Sequence, residues 1–223
     1  MKKLTCFLLL LNSLMACRAQ TNNNNLEIKQ QLDKIVTGYV NDKTFIGSVL
    51  IANNGNILLN KGYGFADIEN KIPNTPTTNF YLASVSKLFT VACIAILEEQ
   101  GRLSYDDPLT KYIPDYPEGG QITIQHLIKH KSGIVDVVNE RPFVYKTEYI
   151  SLDELIEEFK YMPLNFTPGE RSKYSNSGYL LLAYIIEKVS GMSYSDFIKT
   201  NIFDPLKMTS SYSQINMITA KMG

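Results

Sequence analysis

Of 223 residues, 44% are hydrophobic and 20% charged, a balance that suits an ordinary globular protein and excludes disordered, collagenous and coiled-coil chains. Lysine plus arginine and aspartate plus glutamate number 22 each, so no net positive field exists to hold nucleic acid, which is not expected as a partner. Three cysteines, Cys6, Cys17 and Cys93, are too few for a disulfide framework, and stability must come from the core.

The first predicted element is a leader. Lys2 and Lys3 precede an apolar stretch over residues 4–16, interrupted by Thr5, Asn12 and Ser13, that is too short to span a bilayer and reads as a signal peptide over residues 1–19. Two processing sites compete. Leu14-Met15-Ala16-Cys17 resembles a lipobox, with Cys17 as the lipidated first residue, although Met at its middle position is unusual; cleavage after Ala19 is the rival. Either route predicts an exported chain, in the periplasm or lipid-anchored to a bacterial membrane, with a net charge of about −2 after cleavage before Cys17 or about −3 after cleavage behind Ala19, which also removes Arg18. The only membrane contact expected is through lipidation at Cys17. Cys93 is expected as a small buried apolar residue.

Residues 20–44 read as an asparagine-rich tether and a first helix, in which Ile28, Leu32, Ile35 and Val36 recur at amphipathic spacing. From residue 45 the main domain is expected to run to 223. Residues 45–52 and 57–65 are β-rich, and Asn53-Asn54-Gly55-Asn56 between them carries hairpin turn chemistry. Residues 81–97 turn apolar on every helical face, which predicts a buried central helix ending before Gly101. After a proline-punctuated stretch, Thr123 is placed to cap a helix holding Leu127 and Ile128, and Ser151 with Glu154 forms a capping box for residues 152–160. Further helices are predicted over 176–189 and 193–202. One antiparallel hairpin followed by helices describes an α+β fold with two lobes.

The chemistry concentrates at two places. Ser84 and Lys87 are three apart, on one face of the predicted central helix's first turn. A lysine on so apolar a helix costs several kcal/mol of desolvation unless it is paired or gives up its proton, so it needs a reason to be there. At a helix N-terminus, the Ser84 hydroxyl would lie near the positive end of the dipole with its backbone N–H free to face a developing oxyanion. The second place is Tyr174-Ser175-Asn176, directly before a helix. A tyrosine beside such a lysine can shuttle a proton, and an asparagine amide can donate and accept at once. The tripeptide alone has little specificity, because Tyr39-Val40-Asn41 has the same form at a predicted surface helix end. His126 and His130, at i and i+4, could chelate a metal, but Leu127 stands where H-E-x-x-H needs glutamate and no third ligand is evident. Packing or surface roles are expected for both, and neither a metal nor another cofactor is expected.

Residues 81–90 (YLASVSKLFT), 122–134 (ITIQHLIKHKSGI), Pro168-Gly169-Glu170 and residues 174–179 (YSNSGY), in that order, resemble the penicillin-recognising serine hydrolases. The branch most similar holds class C β-lactamases, D-alanyl-D-alanine carboxypeptidases and related esterases. The resemblance implies a β-lactamase/DD-peptidase-like fold, an antiparallel sheet with a helical subdomain. It also implies that Ser84 is the acylated nucleophile, Lys87 its general-base partner, Tyr174 a second proton-transfer group and Asn176 a positioner of substrate and lysine. The implied substrate is a small molecule or peptide bearing an amide, lactam or ester, such as a cell-wall peptide or a β-lactam. The pattern departs from the family at its end. The family's third motif, Lys or His then a small residue then Gly on a late strand, is not found before Gly223; Lys131-Ser132-Gly133 precedes Tyr174 and aligns with a loop instead. The expectation is therefore a C-terminally truncated member lacking the late sheet strands, with a non-catalytic remnant or cell-wall peptide binder as the alternative.

Overall fold

The computed structural model describes residues 26–140 and 151–213. The leader expected over residues 1–19, with Cys6 and Cys17, lies outside the described residues. The chain divides into two compact units, one through Tyr81 and one from Leu82.

The first unit begins with a helix over residues 26–41 (α1). Its half-buried positions are Leu32, Val36 and Val40, spaced i, i+4 and i+8, together with Asp33 and Thr37, whereas Ile28 and Ile35 stand exposed. The buried stripe is thus rotated from the one the apolar residues alone suggest. The rotation has a polar cause: Asp33 accepts hydrogen bonds from Lys61 Nζ at 2.8 Å and from the Tyr63 hydroxyl at 2.7 Å. These contacts, Lys61 first and Tyr63 second, hold the Asp33 carboxyl below its usual range. Tyr39 and Asn41 do lie at the exposed end of this helix.

The expected hairpin is present. Strand β1 (Gly47–Asn53) pairs antiparallel with β2 (Asn56–Tyr63), in a register that sets Gly47 against Tyr63 and Asn53 against Asn56. Asn54 and Gly55 between them have φ of 47° and 77°, both left-handed, which is what a two-residue type I′ turn needs and why asparagine and glycine occupy it. A short second pair, β3 (Phe65–Asp67) and β4 (Ile72–Pro73), is also antiparallel.

In the second unit the chain enters a 3-10 turn, Ala83–Ser86, and then helix α2 (Lys87–Glu99). This corrects the prediction of one continuous buried helix over 81–97. Only Thr90, Cys93, Ile94 and Leu97 are buried, at i, i+3, i+4 and i+7, while Leu82, Val85 and Leu88 are exposed. An all-apolar sequence cannot say which stripe finds partners; tertiary packing selects one. Ser84 accordingly lies exposed and Lys87 half-buried, rather than deep in a core. Cys93 is fully buried, and burial pushes its thiol up to about 12.

Helices α3 (Ile124–Ile128), α4 (Val137–Glu140), α5 (Leu152–Phe159), α6 (Asn176–Ser190) and α7 (Tyr194–Ile198) complete the unit. The core includes residues of α2 (Cys93, Ile94, Leu97), α3 (Ile124, Leu127), α5 (Ile156, Phe159), α6 (Leu181, Leu182, Ile185, Ile186) and α7 (Phe197). A buried hydroxyl pair, Thr90 to Tyr194 at 2.7 Å, ties α2 to α7. The last predicted helix, over 193–202, is α7 followed by a π-type turn over Lys199–Phe203. Both predicted caps are made. Thr123 accepts the His126 N–H, and Ser151 accepts the Glu154 N–H while the Glu154 carboxylate takes the Ser151 N–H at 2.8 Å. Ser151→Ala is expected to lower stability by about 1 kcal/mol, measured as a shift in the urea midpoint at unchanged slope.

Candidate active site

The four residues singled out from the sequence converge within the second unit. Ala83 opens the 3-10 turn at φ 46°, a left-handed angle that a residue with a Cβ rarely adopts and that turns the chain into the helix at this point. In a 3-10 turn, side chains at i and i+3 eclipse one another, which sets Lys87 directly over Ser84. Lys87 Nζ lies 3.4 Å from Ser84 Oγ. The N–H of Ser84, second in the turn, has no acceptor within the helix.

Tyr174 and Asn176 arrive from the other side at the start of α6. Ser175 is the N-cap in extended conformation, with Tyr174 and Asn176 on either side of it. The Tyr174 hydroxyl is 2.7 Å from Ser84 Oγ, and Asn176 Oδ1 accepts from Lys87 Nζ at 2.7 Å. Lys87 Nζ also stands over the rings of Tyr174, at 5.0 Å, and Tyr179, at 5.3 Å. Serine, lysine, tyrosine and asparagine thus form one connected cluster. Burial pushes the Tyr174 phenol up, but hydrogen bonding to Lys87 and Ser84 and the charge of Lys87 outweigh it, and the net shift is downward. Tyr174 is 45% exposed.

Two further residues belong to the cluster, and neither was assigned a role there from sequence. His130 packs its ring against Tyr174 at 4.5 Å between centroids and against Tyr179 at 5.0 Å, and its Nδ1 accepts the Ser175 N–H at 3.2 Å. Burial, then the charge of Lys87, holds its imidazole below the ordinary histidine range. Of the packing or surface roles that the sequence leaves open for it, His130 has the packing one, behind the tyrosine ring. Asp136, 3% exposed, accepts from Asn176 Nδ2 at 3.0 and 3.3 Å and from the Val138 N–H at 3.2 Å. Its sequence signal is one acid inside the run Ile134-Val135-Asp136-Val137-Val138, an arrangement that is costly unless the carboxylate finds partners.

The loop that brings both residues in is pinned at Gly133, φ 78°, where a Cβ would come within 2.1 Å of the Phe166 carbonyl oxygen. The Gly133 carbonyl accepts the Asn165 N–H at 2.8 Å, and the Val137 N–H reaches Ser177 Oγ of α6 at 3.2 Å. Lys131-Ser132-Gly133 is therefore a packing loop, as its alignment implied. His126 serves the cap of α3, its Nδ1 taking the Thr123 N–H at 3.4 Å.

The chain matches the Beta-lactamase family over residues 32–215. It is 42% identical over 170 residues to a penicillin-binding protein of Bacillus subtilis (strain 168), covering 74% of this chain and 37% of that protein. It is 33% identical over 180 residues to the teichoic acid D-alanine hydrolase of Staphylococcus aureus (strain MRSA252), covering 80% of this chain and 43% of that protein. Among solved structures, the D-amino acid amidase of Ochrobactrum anthropi SV3 in complex with L-phenylalanine amide superposes with a TM-score of 0.67 at 29% identity, over 84% of this chain and 50% of that one. The chain spans 37% and 43% of the length of these two curated relatives.

Proposed function

The chain belongs to the Beta-lactamase family, and from that premise we propose that it is an exported serine hydrolase that opens an amide, lactam or ester through an acyl-enzyme on Ser84. The observation that carries this reading is the contact between Ser84 Oγ and the Tyr174 hydroxyl at 2.7 Å, with Lys87 Nζ 3.4 Å from the same oxygen.

Ser84 attacks the substrate carbonyl carbon as its proton passes to Tyr174, the nearer of its two side-chain partners. Lys87 supports that transfer as a cation: it lowers the phenol and is itself held by Asn176 Oδ1. The Ser84 N–H donates to the oxyanion as the tetrahedral intermediate forms. Tyr174 returns the proton to the departing amine or alcohol, which leaves Ser84 esterified. A water then attacks the ester carbonyl, gives its proton to Tyr174, and the acid departs as Ser84 Oγ is reprotonated. Tyr174 is assigned as the proton acceptor on distance, its hydroxyl lying 2.7 Å from Ser84 Oγ against 3.4 Å for Lys87 Nζ.

Relatives named for D-alanine and for D-amino acid amides support a substrate whose acyl part is a D-amino acid. Chromogenic anilides and esters of D-alanine and L-alanine, with a penicillin alongside, test this on the full chain. The expected result is Ser84-dependent release with a D over L preference of about tenfold or more in kcat/KM. Equal release by parent and Ser84→Ala would overturn the reading. Export and the leader over residues 1–19 belong to the same proposal, and N-terminal sequencing of the secreted protein, beginning at Cys17 or Gln20, would support it.

A further inference from the structure

We infer that Asp136 is a positioning residue, which orients the Asn176 amide and thereby holds the Lys87 ammonium against Ser84. The inference rests on the serine hydrolase reading above. A carboxylate offers only acceptors and an ammonium only donors. An amide lying between them has one orientation that satisfies both, with Nδ2 toward Asp136 at 3.0 Å and Oδ1 toward Lys87 at 2.7 Å. Turned about, the amide would set its NH2 against the ammonium and its oxygen against the carboxylate, leaving repulsion at both ends in a partly buried place. This accounts for asparagine at position 176. An aspartate there would face Asp136 with a second negative charge, and a glutamine would extend one methylene past the contact. The carboxylate is itself fixed, since it is 3% exposed, also takes the Val138 N–H at 3.2 Å, and is carried by the loop locked at Gly133. Lys87 thus meets a negative charge through an amide that carries none, and the amide holds it beside Ser84.

The arrangement acts on Tyr174 as well. The charged and titratable groups facing Tyr174 are Lys87 of α2, His130 of the turn after α3, Asp136 ahead of α4 and Tyr179 of α6. Lys87 favours the phenolate, and Asp136 opposes it. Removing the Asp136 charge should therefore carry the Tyr174 titration to lower pH. Loss of the lysine would carry it the other way.

Two variants separate charge from orientation. Asp136→Asn keeps an oxygen that can accept the Asn176 NH2 but removes the charge, and Asp136→Ala removes both. The first readout is an ultraviolet phenolate titration of the full chain, with Tyr174 isolated as the difference between each protein and its Tyr174→Phe counterpart. The second is the pH profile of kcat. The titration midpoint and the acid limb of kcat are expected to move to lower pH in Asp136→Asn. Asp136→Ala is expected to lose about 10–100-fold in kcat with little change in KM, and Asp136→Asn to recover most of that loss. An unmoved Tyr174 titration in Asp136→Asn, in protein shown by circular dichroism to be folded, would overturn the inference even if Asp136→Ala failed to fold. If Tyr174 moves as expected while the parent shows no Ser84-dependent turnover, the charge of Asp136 acts on the cluster and the hydrolase reading falls.

Discussion

Ser84→Ala is expected to lower turnover of an activated ester or amide by about 10⁴-fold or more, because in the proposed mechanism it removes the atom that forms the covalent intermediate. The structure explains why no neighbour should take over. Ser86 lies in the same 3-10 turn, but its Oγ donates to the Ala83 carbonyl at 2.6 Å and is engaged with the backbone. The Tyr174 hydroxyl, 2.7 Å from Ser84 Oγ, has the position of a proton acceptor for that oxygen. The substitution should leave the fold intact, since Ser84 is exposed and its side-chain contacts are to Tyr174 and Lys87. A progress curve with a chromogenic ester, compared at equal far-ultraviolet dichroism, checks both halves of the expectation. A variant that turns over within tenfold of its parent would remove Ser84 from the mechanism.

The second large effect is expected at Lys87. Lys87→Met keeps much of the side chain's length and deletes the ammonium, so Ser84 Oγ and Asn176 Oδ1 each lose a donor. Asn176 Oδ1 loses its partner in a partly buried position, and kcat should fall by about 10²–10⁴-fold. The pH profile carries the more specific signature. Tyr174 is lowered through its hydrogen bond to Lys87 and the lysine charge, so in the parent the phenolate form persists to a lower pH than a free tyrosine would allow. Activity that needs the phenolate is present above this lowered value and is lost as pH falls through it. Without the ammonium the phenol rises toward its ordinary range, and the acid limb of the residual activity should move to higher pH. A residual activity whose limb stays in place would mean that Lys87 does not act through Tyr174.

How far this site can be read from sequence depends on whether its parts are set by local or by tertiary geometry. The type I′ turn at Asn54-Gly55 and the capping boxes at Thr123 and Ser151 are written in adjacent residues, because turn and cap physics act over three or four positions. Ser84 and Lys87 are legible for the same reason, since a spacing of three places two side chains together in either kind of helix. Tyr174 and Asn176 needed order and context, because the same tripeptide form recurs at Tyr39-Val40-Asn41. The 3-10 turn was hidden, since it depends on Ala83 adopting φ 46°, an angle that no local preference of alanine foretells. The partial burial of α2 is not legible either, because periodicity cannot choose among faces that are all apolar. Asp136 and His130 were hidden for another reason. Their roles arise where a loop locked at Gly133 meets the start of α6, some forty residues on in the chain, and no spacing rule spans that distance.

The most direct test of the central claim is intact mass spectrometry of the full chain after incubation with a fluorophosphonate, with peptide mapping of the product. Attack by an activated serine on phosphorus displaces fluoride and leaves one stable adduct per chain. The account predicts a single adduct that maps to Ser84 and is missing from Ser84→Ala. An adduct mapped to another residue, or none on protein shown to be folded, would contradict the claim that Ser84, Lys87 and Tyr174 form an activated nucleophile.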